Sequence, residues 1–147
     1  LYYEEFTCYK FRSMRVNETT EVEARKDDPR VTKIGRFIRK TSIDETPQFL
    51  NVLLGDMSVV GPRPHLWAQN YVYGQKIKKY MIRHYIKPGI TGLAQVRGYR
   101  GEIEIDEDMI NRIKFDVFYI ENWSMLLDVK IIIQTVINIF KGEEKAY

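Results

Sequence analysis

The chain has 147 residues, which is enough for one domain with a modest hydrophobic core. Its hydrophobic fraction of 44% excludes an intrinsically disordered protein, and no stretch is long and apolar enough to predict a transmembrane helix. The net charge is only +3, yet no acidic residue occurs between Asp56 and Glu102. This basic block indicates an anionic partner: nucleic acid, phospholipid or a phosphorylated substrate. Its basic residues are Arg63, Lys76, Lys78, Lys79, Arg83, Lys87, Arg97 and Arg100.

The single cysteine, Cys8, excludes an internal disulfide and suits a reducing compartment. Because the chain begins at Leu1 without Met or a signal-peptide pattern, we expect it to be a fragment of a longer protein.

Residues 5–14 mix aromatic and polar residues and predict a short β-strand. The two-residue period of a strand places Lys10 and Arg12 on one face and Tyr9 and Phe11 on the other. The polar residues 15–28 predict a loop.

A helix is predicted to start at Asp28 as N-cap, with Pro29 at the first helical position. Val31, Ile34 and Ile38 form its apolar face, and the rest of the stretch is rich in Lys and Arg. Such a helix either lies on an anionic membrane surface or packs its apolar stripe into the domain, and the periodicity does not choose between these.

Two adjacent carboxylates, Asp44 and Glu45, precede a second predicted helix with Thr46 as N-cap and Pro47 at its first position. The apolar residues of positions 49–54 continue this helix up to Gly55. Acids beside a basic stretch at a helix start suggest a site for phosphates and a metal ion. Taken alone, however, such a pair is more commonly a capping or surface feature.

Further along, prolines on both sides of Arg63 restrict the backbone and present that side chain for phosphate recognition. Residues 66–85 predict a helix interrupted near Gly74. The turn-rich residues 87–92, flanked by Lys87 and Arg97, form a candidate anion-binding loop that leads into a predicted strand over 93–96.

Two helices are predicted near the C-terminus. The first covers about 107–122 and carries Arg112, Asp116 and Tyr119 on one side, where an Arg112–Asp116 ion pair has a structural interpretation. The second covers 123–141, ends at Gly142, and is predicted to pack in the domain and partly against a membrane interface. The fold class is therefore α+β and mostly helical, with amphipathic helices and a short β element.

Five motifs in order carry a resemblance over nearly the whole chain. They are residues 9–14 (YKFRSM), 42–48 (SIDETPQ), 51–64 (NVLLGDMSVVGPRP), 87–96 (KPGITGLAQV) and 122–130 (NWSMLLDVK). The sequence resembles the bacterial sugar transferase family, the polyprenyl-phosphate sugar-1-phosphate transferases, and is most similar to undecaprenyl-phosphate glucose phosphotransferases.

This resemblance implies a small monotopic membrane-associated catalytic domain over 1–147, preceded by a re-entrant membrane helix, on the cytoplasmic face of the bacterial inner membrane. It implies transfer of a sugar-1-phosphate from a UDP-sugar to undecaprenyl phosphate, with release of UMP, as the first step of exopolysaccharide or capsule synthesis. The expected cofactor is Mg²⁺, and the expected partners are both substrates and membrane lipids, with no nucleic acid.

The resemblance assigns Asp44 as nucleophile of a covalent ping-pong cycle and Glu45 to the metal or to proton transfer, with Asp128 as a further candidate metal ligand. For the substrate phosphates we select a set of basic residues: Arg12, Arg63, Lys87, Arg97 and Arg112. Arg97 and Ile103 stand where the family usually has Asn and often Thr, which leaves the sugar open between glucose and galactose. The basic block and the amphipathic helices are also compatible with two other functions. The first is a nucleic-acid-binding module, and the second is a non-catalytic membrane-association domain.

Overall fold

The computed structural model describes residues 4–15, 28–101 and 106–141. Within these ranges the fold is mostly helical and contains one two-stranded parallel sheet, which confirms the α+β class with a short β element. The α-helices are α1 (Lys33–Lys40), α2 (Gln48–Leu54), α3 (Trp67–Lys76), α4 (Leu93–Val96), α5 (Asp106–Glu121) and α6 (Met125–Lys141). The strands are β1 (Ser58–Val60) and β2 (Gly89–Thr91), and 3₁₀ helices cover Ile43–Glu45 and Tyr80–Tyr85.

The predicted strand over 5–14 is wrong, because the segment forms only an isolated bridge between Met14 and Val31. Its backbone is held by the side chain of Asn51, which accepts from the amide of Tyr9 at 3.0 Å and donates to the carbonyl of Thr7 at 2.7 Å. A β-compatible sequence without a partner strand thus binds to a buried side chain instead. Of the loop predicted over 15–28, residues 16–27 lie outside the described residues.

Helix α1 begins later than predicted, at Lys33. Asp28 closes a turn instead of capping a helix: its carbonyl accepts from the amide of Val31 and its carboxylate from the amide of Arg30. Thr32 is the N-cap, and its hydroxyl accepts from the amide of Gly35 at 2.9 Å. The Asp-Pro signal therefore marks the turn that precedes the helix.

Helix α2 is confirmed, with its first helical residue at Gln48 and with Pro47 rather than Thr46 as the N-cap. The helix ends as predicted at Gly55, whose φ of +90° lies in the left-handed region that glycine adopts without strain. The two acids lie in the single 3₁₀ turn directly before it, Ile43–Glu45.

The strand predicted over 93–96 is wrong, since those residues form α4 and the strand lies earlier, over Gly89–Thr91. It pairs with β1 in a register of Ser58 with Gly89 and Val60 with Thr91. A Cβ at Gly89 would lie only 2.1 Å from the amide nitrogen of Gly61. Gly61 and Gly89 thus allow the loop that carries Arg63 to approach the loop after Lys87. Local periodicity does not predict this contact, because the two segments are distant in the sequence.

The helical region over 66–85 is confirmed in part, as α3 followed by the 3₁₀ helix. The break comes at Lys79, with φ of +71°, and Gly74 lies inside α3. Helices α5 and α6 are confirmed with starts within two residues of the prediction, and Arg112, Asp116 and Tyr119 are all buried along α5.

Helix α5 contributes to two hydrophobic clusters. One contains Val60, Leu93, Tyr119 and Ile131, and the other contains Tyr80, Met109, Ile113 and Val117. Helix α5 therefore packs against the sheet, α4 and α6 through one cluster and against the second 3₁₀ helix through the other.

Many large apolar side chains remain exposed on α2 and α6. On α2 they include Phe49, Leu50, Leu53 and Leu54, and on α6 they include Met125, Leu126, Ile133 and Phe140. Only Ile131 of α6 is buried. Apolar surface of this extent is typical of a face that meets another apolar phase or partner. Of the helices in the described ranges, none has the length and apolar character needed to cross a membrane.

Candidate active site

The 3₁₀ turn before α2 faces a cavity of about 770 Å³. Four carboxylates of the described residues line it, of which Asp44 and Glu45 are buried, at 8% and 5% exposed, whereas Glu4 and Glu5 are exposed. The cationic side chains on its wall are Lys10, Arg39, Arg63, Arg83, Arg100 and Arg112. A concave site with this excess of cations suits a ligand that carries several negative charges.

The carboxylate of Glu45 is held by three cations. Its Oε1 accepts from Arg63 Nη2 at 2.7 Å and from Lys10 Nζ at 3.2 Å, and its Oε2 accepts from Arg100 Nη2 at 2.7 Å. Burial would raise the pKa of Glu45, but the charges of Arg63, Arg100 and Lys10 hold this pKa far below its ordinary value. Glu45 therefore stays anionic and fixes the direction of two guanidinium groups along the cavity wall.

Asp44 differs from its neighbour. Within the described ranges no hydrogen bond reaches its carboxyl group, although its backbone carbonyl accepts from the amide of Phe11 at 2.9 Å. Burial and the negative charge of Glu45 raise the pKa of Asp44, while Lys10, Arg39 and Arg100 oppose that rise. A buried carboxylate with a raised pKa and no committed donors is available for chemistry, whereas Glu45 is committed to its three cations.

The turn that presents these acids is strained at its first residue. Ser42 has φ of +59°, a conformation that residues other than glycine adopt rarely and at an energetic cost. Arg100 stabilises it, because Nη1 donates to Ser42 Oγ at 2.7 Å while Nη2 binds Glu45. Arg100 therefore fixes both the backbone turn and the second carboxylate.

A second buried network lies behind the Arg63 loop. Arg83 forms an ion pair with Asp116 at 3.0 Å, and both side chains are almost fully buried. Arg83 also donates to the carbonyl of Arg63 and to Nδ1 of His65. Through the hydrogen bond from Arg83 to the carbonyl of Arg63, this network holds the backbone at Arg63 in place.

His65 lies beside Arg83 and Tyr80. Its Nδ1 contacts Arg83 and lies 2.7 Å from the hydroxyl of Tyr80. Burial, together with the charge of Arg83, lowers the pKa of His65 well below its ordinary value, which keeps the ring neutral. His65 lines the cavity, and among the described residues Nε2 has no hydrogen-bond partner. His65 is therefore a neutral side chain on a wall that also carries cationic side chains.

The structure places two of the predicted phosphate-binding residues on the cavity, Arg63 and Arg112. Arg112 is buried and donates to the carbonyl of Gly101 at 2.8 Å. The other three, Arg12, Lys87 and Arg97, are not among the described residues that line it. Arg12 and Arg97 are exposed, and Lys87 is half-buried near Gly55.

Asp128 lies at the start of α6, where Oδ1 accepts from the hydroxyl of Tyr119 at 2.7 Å and Oδ2 from the indole of Trp123 at 3.2 Å. It is not one of the described residues on the cavity wall, and the described residues contain no group of three or more metal-ligating side chains. Its role as a metal ligand stays a prediction.

Sequence reasoning did not select Lys10, Arg83 or Arg100 for the site, and it left His65 undecided between a structural and a substrate-contacting role. Arg83 and Arg100 were within the basic block, which was the available signal, but the block has eight such residues and no local pattern ranks them. Lys10 was expected on the same strand face as Arg12, and because no strand forms, only Lys10 reaches Glu45.

The chain matches a known protein family over most of its length. A family model described as "Bacterial sugar transferase" matches residues 1–142. The UDP-glucose:undecaprenyl-phosphate glucose-1-phosphate transferase of Escherichia coli is 55% identical over 91% of this chain and 29% of its own length. The proteins of the same name from Klebsiella pneumoniae and Xanthomonas campestris are 56% and 50% identical, over 91% and 97% of this chain and 29% and 30% of their own lengths.

The chain thus spans less than a third of the length of these relatives. The family model, in contrast, covers almost all of the chain, including the 3₁₀ turn with both acids and every basic residue of the cavity wall. The chain belongs to the bacterial sugar transferase family.

Proposed function

We propose that residues 1–147 form the catalytic domain of a phosphoglycosyl transferase. It transfers a sugar-1-phosphate from a UDP-sugar to undecaprenyl phosphate, releases UMP, and so starts exopolysaccharide or capsule assembly. The names of the relatives support both substrates and favour glucose over galactose as the sugar. The observation that carries the proposal is a buried Asp44 to which no described residue donates a side-chain hydrogen bond, beside a Glu45 held by three cations, in a cation-lined cavity.

In the first half-reaction, a carboxylate oxygen of Asp44 attacks the phosphorus that bears the sugar. The bond from that phosphorus to the bridging oxygen breaks, and UMP leaves with the bridging oxygen. In the second, an oxygen of the lipid phosphate attacks the same phosphorus, the bond to Asp44 breaks, and the carboxylate is restored. Asp44 suits this role because burial raises its pKa and thereby its nucleophilicity, and because no donor in the described part of the chain holds its carboxylate oxygens.

The cations of the wall act on the charge of the pyrophosphate. A carboxylate and a pyrophosphate repel each other, and this repulsion must be offset before the two approach. Arg63 and Arg100 are already oriented by Glu45, so they need no reorganisation when negative charge develops.

The donor set also fits one Mg²⁺ ion bound together with substrate phosphates. Glu45 uses three of the roughly four acceptor positions of a carboxylate, which leaves one on Oε2, and Asp44 lies beside it. Magnesium is commonly held by one or two carboxylates plus substrate phosphates, and when bound it neutralises phosphate charge. Glu45 is the ligand that we propose; Asp128 lies outside the cavity wall.

We further propose that the domain works as a monotopic protein at the cytoplasmic face of the bacterial inner membrane. The exposed apolar side chains of α2 and α6 support this, since Leu53 and Phe140 are more than 80% exposed. Apolar helix faces of this kind bury themselves in the headgroup and acyl boundary of a bilayer. The catalytic turn directly precedes α2, so membrane contact through α2 would bring the site close to a lipid phosphate.

The proposal is tested with the reconstituted full-length enzyme and no lipid acceptor. A covalent mechanism exchanges radiolabelled UMP into UDP-glucose, because the first half-reaction runs in both directions without acceptor. We expect exchange in the wild type and a loss of at least about 10⁴-fold in Asp44→Asn.

Asp106→Asn is the matched control, since it makes the same change at an exposed acid and should retain exchange. Near wild-type exchange in Asp44→Asn would refute the covalent role. Turnover that is indifferent to EDTA would remove magnesium from the proposal.

A further inference from the structure

A second, apolar groove lies on the other side of the catalytic turn. Its volume is about 290 Å³, at the lower end of the range of about 300–1,000 Å³ for small-ligand pockets, so it holds part of a ligand only. Its walls come from the 3₁₀ turn, α2, β2 and α6, and its apolar side chains include Ile43, Phe49, Ile90, Ile132, Val136 and Ile139. A groove with these walls fits a hydrocarbon chain.

The groove and the cation-lined cavity share two side chains, Glu45 and Arg100. The ion pair between them, 2.7 Å from Arg100 Nη2 to Glu45 Oε2, therefore forms part of the wall between the two spaces. One side of this wall is rich in cations and the other is mainly apolar. A ligand that fits the groove has an apolar body and places an anionic group near Arg100.

The groove also continues onto exposed apolar surface. Phe49, Ile132 and Val136 line it and are at the same time 40–51% exposed, and further exposed apolar residues follow along α6 up to Phe140. A long hydrocarbon chain that begins in the groove has an apolar surface on which to continue. This continuity favours a membrane lipid over a compact apolar molecule.

We propose that this groove binds the first isoprene units of the polyprenyl phosphate acceptor, with its phosphate at the Glu45–Arg100 end. The inference rests on the proposed function and adds to it a separate acceptor site. The nucleotide sugar occupies the cation-lined cavity, and the lipid phosphate approaches Asp44 from the opposite side of the ion pair. The nucleotide sugar and the lipid phosphate then reach Asp44 from two different sides.

The test compares two isoleucines that are neighbours in α6. Ile132 lines the groove, Ile133 does not, and they are 40% and 54% exposed. In the reconstituted full-length enzyme, Ile132→Asn should raise the KM for undecaprenyl phosphate about tenfold through lost apolar contact, and Ile133→Asn should leave it within about twofold. With geranyl phosphate as the acceptor, which has only two isoprene units, Ile132→Asn should raise the KM by the same factor of about ten, because those two units occupy the groove.

Exchange of UMP into UDP-glucose is measured on the same preparations without acceptor. It should be unchanged in both variants, which separates a weakened acceptor site from a failure of the proposed chemistry or a folding defect. If Ile132→Asn lowers exchange, Val136→Asn on the same wall takes its place with the same expectation.

Equal KM changes for Ile132→Asn and Ile133→Asn would overturn the inference, because they would indicate a general membrane contact. An unchanged KM with a lowered melting temperature in Ile132→Asn would also overturn it, and would assign the groove to a protein segment. Absence of exchange in the wild type would instead refute the proposed function.

Discussion

Two buried carboxylates of this domain, Glu45 on the cavity wall and Asp116 behind it, have opposite electrostatics. Glu45 has three cations within hydrogen-bond reach, and their charges lower its pKa despite burial. Asp116 forms an ion pair with a single cation of the described residues, Arg83, and burial raises its pKa to about 6, although Arg83 and Arg112 oppose the rise. Burial is similar at both sites, so the number of cations at hydrogen-bonding distance decides the outcome.

The difference separates two uses of a buried acid. Glu45 stays anionic and orients Arg63 and Arg100 along the cavity wall, where these two guanidinium groups can bind a negatively charged ligand. Asp116 is a support for Arg83, which in turn holds the Arg63 backbone and His65. Changes at Glu45 should therefore act mainly on catalysis, and changes at Asp116 mainly on stability.

Among changes that distinguish Glu45 from Asp116, the largest effect is expected for Glu45→Gln. The substitution keeps the size of the side chain but removes the charge that orients two arginines, so the rate of UMP release should fall by about 10³-fold. Its cost in the free energy of unfolding should stay below about 3 kcal/mol, because Lys10, Arg63 and Arg100 are partly exposed and gain hydration. Steady-state kinetics and urea denaturation check the two values. A loss of stability with normal kinetics would make Glu45 a structural residue.

Arg63→Lys should lower kcat by about 10²-fold, since one oriented donor to the developing charge is lost. Arg12→Lys is the matched control: Arg12 is exposed and is not among the described residues of the cavity wall, so its rate should change less than twofold. An equal loss in both variants would indicate that the cavity wall alone does not define the phosphate site.

Asp116→Leu should destabilise the domain by about 3 kcal/mol, because it leaves Arg83 buried with neither a counter-charge nor an acceptor oxygen at this position. The double variant Arg83→Met with Asp116→Leu should recover much of that loss, since it removes both charges. Thermal and urea unfolding measure the difference. If the single variant were as stable as the wild type, Asp116 would not be a support for Arg83.

The two acids should also respond oppositely to pH. The pKa of Asp116 is higher in the folded state than in the unfolded chain, so protonation at this site adds stability as the pH falls from about 6 toward 4. The pKa of Glu45 is lower in the folded state, so this site loses stability as the pH falls below its unfolded value of about 4.3.

Urea unfolding between pH 4 and 7 tests both effects. The wild type should gain stability relative to Asp116→Asn on acidification through 6, by a few kcal/mol at most. Relative to Glu45→Gln it should lose stability at the acidic end of the range. Parallel pH profiles of the wild type and Asp116→Asn would contradict the raised pKa.

The smallest effect is expected for Asp128→Asn. Asp128 accepts from two neutral donors, the hydroxyl of Tyr119 and the indole of Trp123, and Asn retains one acceptor oxygen, so the loss should be about 1 kcal/mol. Titration of activity with Mg²⁺ distinguishes this structural role from ligation. A large increase in the Mg²⁺ concentration required for half-maximal rate would support the predicted metal role.

Patterns within one element were predictable because their causes are local. The apolar periodicity of α5 and α6 indicates both helices, and Gly55 marks the end of α2 because glycine accepts positive φ there. Pairing between distant segments was not predictable in this way. Each strand has only three residues, too few for a period-two signal, and their approach depends on Gly61 and Gly89 being in contact.

The candidate site shows the same division between local features and contacts of distant segments. The sequence alone determined that two adjacent acids precede α2 in a chain with a long basic block, and its motifs indicated the family. The tertiary structure alone decided which cations reach those acids: Lys10 from the N-terminal segment, Arg63 from the loop after β1, and Arg100 from the segment after α4. It also decided that Asp44 has no hydrogen-bond donors among the described residues while Glu45 has three. The physical reason is that charge interactions depend on distance and burial, which are set by long-range packing and not by neighbouring residue types.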